Sequence, residues 1–168
     1  MRRTRSYEFE APAAAPAAAS ALSGLEFLRR QMAGEVPRGS MLDTFAIRLV
    51  LVEPGRVVVE AVPEEFAYNN LGSVHGGFAA TLLDTAMGCA VHSTVARALA
   101  YTTVDLTLNF VRPISGATGL VRGEGKVVHA GRRVATAEGR LMAADGRLLA
   151  HGLTTCLIFA AGEGAGAA

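Results

Sequence analysis

Residues 69–84 of this 168-residue chain contain the groups best suited to chemistry. Gly76 and Gly77 stand where a long helix is predicted to begin, so another group can approach the backbone closely there. The first N–H groups of a helix have no partner within it and lie at the positive end of its dipole. Such a helix start can bind a carbonyl oxygen and stabilise the negative charge that develops on it. A simple turn between a loop and a helix is the alternative explanation.

Asp84 lies in the middle of the same predicted helix, in an otherwise apolar run. An unpaired carboxylate is costly in such surroundings, and no residue three or four positions away can neutralise it. Either this side chain faces water, or it serves a site as a general base or a nucleophile.

The spacing of His75 and Asp84 constrains any site that contains both. Nine residues of ideal helix place them on opposite sides and about 13 Å apart along the axis. They should therefore not touch within one chain. If both serve one active site, His75 of one subunit must meet Asp84 of another, so the catalytic hypothesis requires a homodimer. A lone histidine in a turn would otherwise be structural.

The periodicity of apolar residues predicts the elements that position these groups. Helical spacing indicates a helix over residues 22–33. A run rich in Ala, Leu and Met, with few β-branched residues, indicates a second, long helix over about 76–96. Asp84 and His92 argue against a membrane span in the second one. Alternation and turn residues predict strands, which cover residues 45–51, 57–61, 103–110, 118–129, 132–144 and 147–159. With so few connecting helices, we expect an α+β fold whose largely antiparallel sheet has the long helix on one face.

Composition excludes several classes of protein. The net charge of +1 gives no electrostatic case for a nucleic-acid partner or an anionic membrane surface. Two cysteines cannot form a disulfide framework, and no cluster of Cys and His indicates a zinc site.

The two ends of the chain differ from its centre in composition. Residues 1–21 are rich in Ala and Pro and predict a flexible arm, whereas residues 161–168 predict a flexible tail. The folded domain is therefore expected over residues 22–160. Glu8 and Glu10 interrupt any apolar stretch of a secretory signal, and we expect a cytoplasmic protein. A transit peptide is the alternative for this Arg- and Ala-rich start, although the same two glutamates count against it.

A set of residues typical of one protein family spans the same segment: Asn69-x-x-Gly72-x-x-His75-Gly76-Gly77, followed by Asp84. The chain resembles the hotdog-fold acyl-CoA thioesterases, in particular the phenylacetate-degradation type. The similarity covers most of residues 40–159 and includes three weaker pieces: Thr103-Val104-Asp105-Leu106, Phe110-x-Arg112-Pro113 and Gly131-Arg132-Arg133. It implies a long helix wrapped by a curved antiparallel sheet. It also implies homodimers, often paired into tetramers, with active sites at the subunit interface.

The resemblance also implies roles for the residues of the motif. Asp84 would be the nucleophile or the general base that activates water, and the Gly77 N–H would polarise the thioester carbonyl. His75 and Asn69 would orient the thioester end or the catalytic groups. Gly76, beside them, would help to bind the substrate.

Two further sites are implied outside the motif. Thr103 matches a position where the family often places a hydroxyl that holds the water, with Thr102 as the alternative. A plain strand residue is the other explanation for Thr103. Arg132 and Arg133 could meet the phosphates of coenzyme A, because Arg suits bidentate phosphate contacts. A solvated hairpin end would explain the two arginines equally well.

The implied activity is hydrolysis of an aromatic or short- to medium-chain acyl-CoA to free CoA and a carboxylic acid. No metal or redox cofactor is expected, because coenzyme A is part of the substrate and the reaction needs only a carboxylate, water and oxyanion stabilisation. A non-catalytic acyl-CoA-binding or sensor module is one alternative, although it has no need of Asp84. A hotdog hydratase or dehydratase is another, because it also uses a histidine and a carboxylate.

Overall fold

The structure is a computed structural model that describes residues 2–9, 11 and 20–162. Its helices and strands follow in chain order: α1 (Gly24–Ala33), α2 (Ser40–Thr44), β1 (Arg48–Glu53), β2 (Arg56–Ala61), α3 (Gly76–His92), β3 (Leu99–Phe110), β4 (Val121–Ala130), β5 (Val134–Ala143) and β6 (Leu148–Ala160). Short 3-10 turns lie at Glu65–Ala67 and Gly116–Thr118. Of the predicted arm and tail, residues 1, 10, 12–19 and 163–168 lie outside the described residues. The flexibility of these ends stays a prediction.

The six strands form one antiparallel sheet in the order β1-β2-β4-β5-β6-β3. Helix α3 packs across one face of this sheet and buries Leu82, Leu83 and Met87 completely. Strand β3, which among the described residues pairs only with β6, is one edge of the sheet. The predicted α+β fold, a long helix against a curved antiparallel sheet, is confirmed.

Glycines in the sheet allow α3 to lie close to it. A Cβ on Gly125 of β4 would collide with the backbone carbonyl of Ala86, and a Cβ on Gly139 of β5 would stand 2.8 Å from the Met87 sulfur. The helix therefore lies directly on the strand backbones, which is the close approach that glycine permits.

Several boundaries differ from the sequence-based expectation. The long helix ends at His92 rather than near residue 96, because the Ser93 and Thr94 hydroxyls bond the carbonyls of Ala90 and Val91. Strand β1 begins after Ala46, whose φ of 51° interrupts the extended chain. Helix α2 was not expected at all. Within the described residues, no helix combines the length and apolarity that a membrane span would need.

Candidate active site

His75 is the N-cap of α3, and its ring accepts a hydrogen bond from the helix start. Its Nδ1 accepts from the Gly77 N–H at 2.9 Å, and its own N–H donates to the carbonyl of Ala67 at 2.7 Å. Because Nδ1 is an acceptor here, the neutral ring carries its proton on Nε2. The His75 side chain is exposed, so this Nε2–H is open to a ligand.

This cap bears directly on the role expected for Gly77. The N–H that the resemblance assigns to the thioester carbonyl already has a partner inside the chain. A substrate oxygen must share this N–H with the imidazole or displace the ring. The neighbouring Gly76 N–H has no acceptor among residues 2–9, 11 and 20–162. It is a second donor at the same helix start.

Phe110, at the end of β3, covers Gly76 from the sheet side. A Cβ on Gly76 would stand 3.4 Å from the Phe110 ring, so a larger side chain would displace the ring. More than half of the Phe110 side chain is nevertheless exposed, at 56%. The ring therefore forms one wall beside the exposed helix start.

Asn69 organises the loop that leads into the helix. Its Oδ1 accepts from the N–H groups of Leu71 at 2.8 Å and Ser73 at 3.3 Å, and its Nδ2 donates to the Ser73 hydroxyl at 3.0 Å. Both ends of the side-chain amide are thus engaged within residues 69–73. In this arrangement Asn69 positions His75 by shaping the loop, and its amide does not reach the Asp84 carboxylate.

Asp84 receives a hydrogen bond from the strand beside it. Its side chain is half-buried on α3, and the Thr103 hydroxyl of β3 donates to Oδ1 at 2.9 Å. Thr102, the alternative from the sequence, is exposed on the outer face of the strand. The structure therefore brings together Asp84 and Thr103, which lie 19 residues apart in the chain.

A β-bulge at Val104 explains why Thr103 faces Asp84. Thr103 pairs with Cys156 and Asp105 pairs with Thr155, so Val104 is an extra residue in the ladder. Strict alternation would have put Thr103 and Leu106 on opposite faces of the sheet. With the bulge both face α3, and Val104 turns outward with 59% of its side chain exposed.

Buried, uncharged groups lie behind Asp84. Burial and, secondarily, the negative charge of Asp84 raise the pKa of Cys89 to about 12. Burial also raises the pKa of Cys156, the cross-strand neighbour of Thr103. Both thiols therefore stay protonated and uncharged near neutral pH beside the Asp84 carboxylate.

One subunit does not bring all the candidate residues together. Because α3 is continuous from Gly76 to His92, the expected separation of about 13 Å between His75 and Asp84 holds. Arg132 and Arg133 are exposed in the turn between β4 and β5, which lies level with the first residues of β3. Gly76, in contrast, packs against Phe110, the last residue of β3. The two arginines are therefore about 25 Å from the helix start along the strand direction.

The sequence reasoning missed several features of this site. It did not anticipate the cap that His75 forms on Gly77, the ring of Phe110 or the bulge at Val104. His75 directly precedes the predicted helix start. A side chain at this N-cap position can accept a hydrogen bond from the first turn, so the position could have indicated the cap. Among the described residues, no group of three or more His, Cys, Asp or Glu side chains is placed to hold a metal ion.

The long helix packed against one curved antiparallel sheet is the hotdog fold of several solved thioesterase structures. Residues 71–150 match the family model described as the thioesterase superfamily. A provisionally named thioesterase from Ralstonia eutropha, related to phenylacetic acid degradation, is 29% identical, with a TM-score of 0.71 over 77% of this chain and 97% of that chain. A thioesterase family protein from Silicibacter pomeroyi is 26% identical, with a TM-score of 0.71 over 79% and 98% of the two chains.

Two further proteins extend these comparisons. The PaaI protein from the phenylacetic acid degradation operon of E. coli is 20% identical and shares the fold, with a TM-score of 0.71 over 83% of this chain and 97% of that one. A provisionally named esterase from Halobacterium salinarum is 44% identical over 69 residues, which are 40% of this chain and 44% of that protein. The chain thus spans less than half of that curated relative. The resemblance to hotdog-fold thioesterases of the phenylacetate-degradation type is confirmed.

Proposed function

We propose that this protein is an acyl-CoA thioesterase that hydrolyses an aromatic or short- to medium-chain acyl-CoA to free CoA and a carboxylic acid. The observation that carries the proposal is the half-buried Asp84 carboxylate held by the Thr103 hydroxyl at 2.9 Å. A carboxylate with one fixed oxygen and one open to water suits attack on a thioester, or activation of the water that attacks.

Two routes lead from this carboxylate to the same products. As a general base, Asp84 takes a proton from water while the hydroxide oxygen attacks the carbonyl carbon. The tetrahedral intermediate then expels the CoA thiolate, which receives that proton. As a nucleophile, Asp84 attacks the carbonyl itself, CoA leaves, and water hydrolyses the resulting anhydride. The Gly77 N–H would stabilise the developing oxyanion in both routes, shared with or released by His75.

The proposal requires a second copy of the chain. Gly77 and Asp84 are separated by about 10 Å along α3, too far for one thioester to engage both within one subunit. The free edge of β3, with exposed Val104 and Phe110, suits pairing with another β3. We propose a homodimer with active sites at its interface, which pairs further into a dimer of dimers, with no nucleic-acid or membrane partner.

The remaining parts of the proposal concern how coenzyme A is bound, the need for cofactors and where in the cell the protein acts. Arg132 and Arg133 form no side-chain ion pair with any described residue, so both guanidinium groups are open to the CoA phosphates. In a dimer, the arginines of one subunit could serve the site that the other subunit completes. The protein would act in the cytoplasm, without a metal or redox cofactor.

The test is CoA release from a panel of phenylacetyl-, hydroxylated aromatic and aliphatic acyl-CoAs, followed with a thiol reagent. Asp84→Asn keeps the size of the side chain and should nearly abolish turnover. Asp145→Asn, in the exposed turn before β6, is the matched control and should be as active as wild type. Wild-type kcat in Asp84→Asn would refute the mechanism. Tight binding without CoA release would favour a sensor, and hydration of crotonyl-CoA would favour a hydratase.

A further inference from the structure

We propose that residues 3–7, here called the N-terminal clamp, fix the start of α3 from outside the hotdog domain, and that Arg5 is a positioning residue that acts through Phe66. The effect on turnover rests on the proposed thioesterase function. The contact itself does not, because it is a property of the fold.

Three side chains of the clamp contact the domain. The Arg5 guanidinium lies over the Phe66 ring, 3.8 Å from its centroid, and 4.8 Å from the Tyr7 ring. Arg3 forms an ion pair with Glu65. The Tyr7 hydroxyl accepts from Thr44 at 3.2 Å. The clamp therefore holds the 3-10 turn Glu65–Ala67, which lies just before the site loop.

Two paths connect this turn to the helix start. The carbonyl of Ala67, next to Phe66, accepts the His75 N–H at 2.7 Å. The Phe66 ring packs against Phe45 with centroids 5.9 Å apart, and Phe45 packs edge-on against Phe78 at the same distance. Phe78 is fully buried in the first turn of α3. A shift of Phe66 would thus reach both the N-cap and the first helical turn.

The clamp holds the turn at a few points only. A cavity of about 610 Å³ lies between the clamp, the segment 63–66 and Gly116. The Arg3–Glu65 pair is exposed, so salt screens it. The contact of Arg5 with Phe66 depends on an aromatic face and cannot be replaced by an aliphatic side chain. Loss of this one contact should therefore loosen the turn without unfolding the domain.

The first experiment compares Arg5→Ala with Arg2→Ala. Arg2 is the matched control, because it is exposed next to the clamp, carries the same charge and has no hydrogen bond, ion pair or ring contact with the described residues. We expect Arg5→Ala to lower kcat about two- to fivefold, the range of one cation–π contact, with KM unchanged. Phe66→Leu should lower kcat at least as much, because it also removes the ring that packs against Phe45. Phe66→Tyr should keep wild-type kcat, and the Arg5→Ala/Phe66→Leu double variant should lose no more than Phe66→Leu alone.

Several results would overturn the clamp. An equal loss in Arg2→Ala would show a general charge effect. A raised KM with unchanged kcat would make these residues a wall of the substrate pocket. A raised kcat would make them a cover over the site. Additive losses in the double variant would show that Arg5 and Phe66 act separately.

A second readout separates this proposal from the thioesterase proposal. Amide hydrogen exchange in peptides covering residues 65–78 should be faster in Arg5→Ala than in wild type or Arg2→Ala. If wild type hydrolyses no acyl-CoA, the proposed function fails while the exchange result still tests the clamp. Unchanged exchange in Arg5→Ala would overturn the clamp even in an active enzyme.

Discussion

The hydroxyl of Thr103 is the group that fixes the Asp84 carboxylate, and its removal gives a direct prediction. Thr103→Val keeps the shape of the side chain but leaves Oδ1 without its donor. A hydrogen bond to a charged group is worth about 1.5–3 kcal/mol, so kcat for CoA release should fall about 10- to 150-fold. Thr103→Ser retains the hydroxyl and should keep most of the activity. Equal kcat values for the Val and Ser variants would mean that Thr103 is only a strand residue.

Arg132 and Arg133 carry a prediction about binding instead of chemistry. If they meet the CoA phosphates, Arg132→Ala and Arg133→Ala should raise KM and leave kcat unchanged. The effect should shrink at high salt, because exposed charge contacts are screened. Arg30→Ala, an exposed arginine in the last turn of α1, is the control. An unchanged KM in both variants would make the β4–β5 turn a solvated hairpin end.

Among the elements, the contact of α3 with the sheet predicts unequal costs for two similar glycine substitutions. Gly125→Ala places a methyl group against the Ala86 backbone, which cannot move without shifting the helix. Gly139→Ala meets the flexible Met87 side chain, which can adopt another rotamer. We expect Gly125→Ala to lower the free energy of unfolding by about 3 kcal/mol or more and Gly139→Ala by clearly less. Urea unfolding measures both, and equal losses would contradict the close packing described above.

The end of α3 predicts how stability depends on pH. Burial lowers the pKa of His92 to about 4, and its ring packs between Phe27 and Tyr101 at 5.6 and 5.1 Å. In the unfolded chain the His92 ring is protonated as the pH falls through about 6.5, whereas in the folded protein it stays neutral until the pH approaches 4. The contribution is therefore complete above pH 6.5 and is lost as the pH falls toward 4.

The measurement is urea unfolding at pH 7, 5.5 and 4.5. The wild-type free energy of unfolding should fall over this range by about 2 kcal/mol on account of His92. His92→Leu should remove that part of the pH dependence. His151→Leu, which changes an exposed histidine on β6, should leave it in place. Parallel pH profiles for wild type and His92→Leu would contradict the prediction.

The elements also show which structural information a single sequence contains. Apolar alternation and turn residues together predicted all six strands. Alternation is clear in strands such as β5, which has a buried and an exposed face, whereas β2 is buried from Val57 to Ala61. The bulge at Val104 was not predicted, since one extra residue looks like continued alternation in the sequence. The cap of His75 on Gly77 was not predicted either, because it depends on how the imidazole ring is oriented at the helix start. The candidate residues were thus predictable, whereas the hydrogen bonds that fix them required coordinates.

At the scale of the whole molecule, the candidate residues fall into two groups along α3. The helix start with His75 and Gly77 lies at one end of α3, and Asp84 with Thr103 lies in its middle. Only the helical repeat was needed to predict this separation. The edge of β3, which we propose as the partner surface, could not be predicted in the same way, because a strand edge becomes visible only when the order of strands is known.

A shared site predicts that two inactive variants restore each other. His75→Ala and Asp84→Asn chains, co-expressed with different tags and purified through both, form mixed dimers in which one site contains both changes and the other contains neither. Such mixed dimers should release CoA at about half the wild-type rate, because one of two equivalent sites is intact. Each variant alone should be nearly inactive, and mixed dimers of wild type with Asp84→Asn are the control, at the same half rate. Mixed dimers no faster than the single variants would place the whole site within one subunit, and an active His75→Ala homodimer would remove His75 from it.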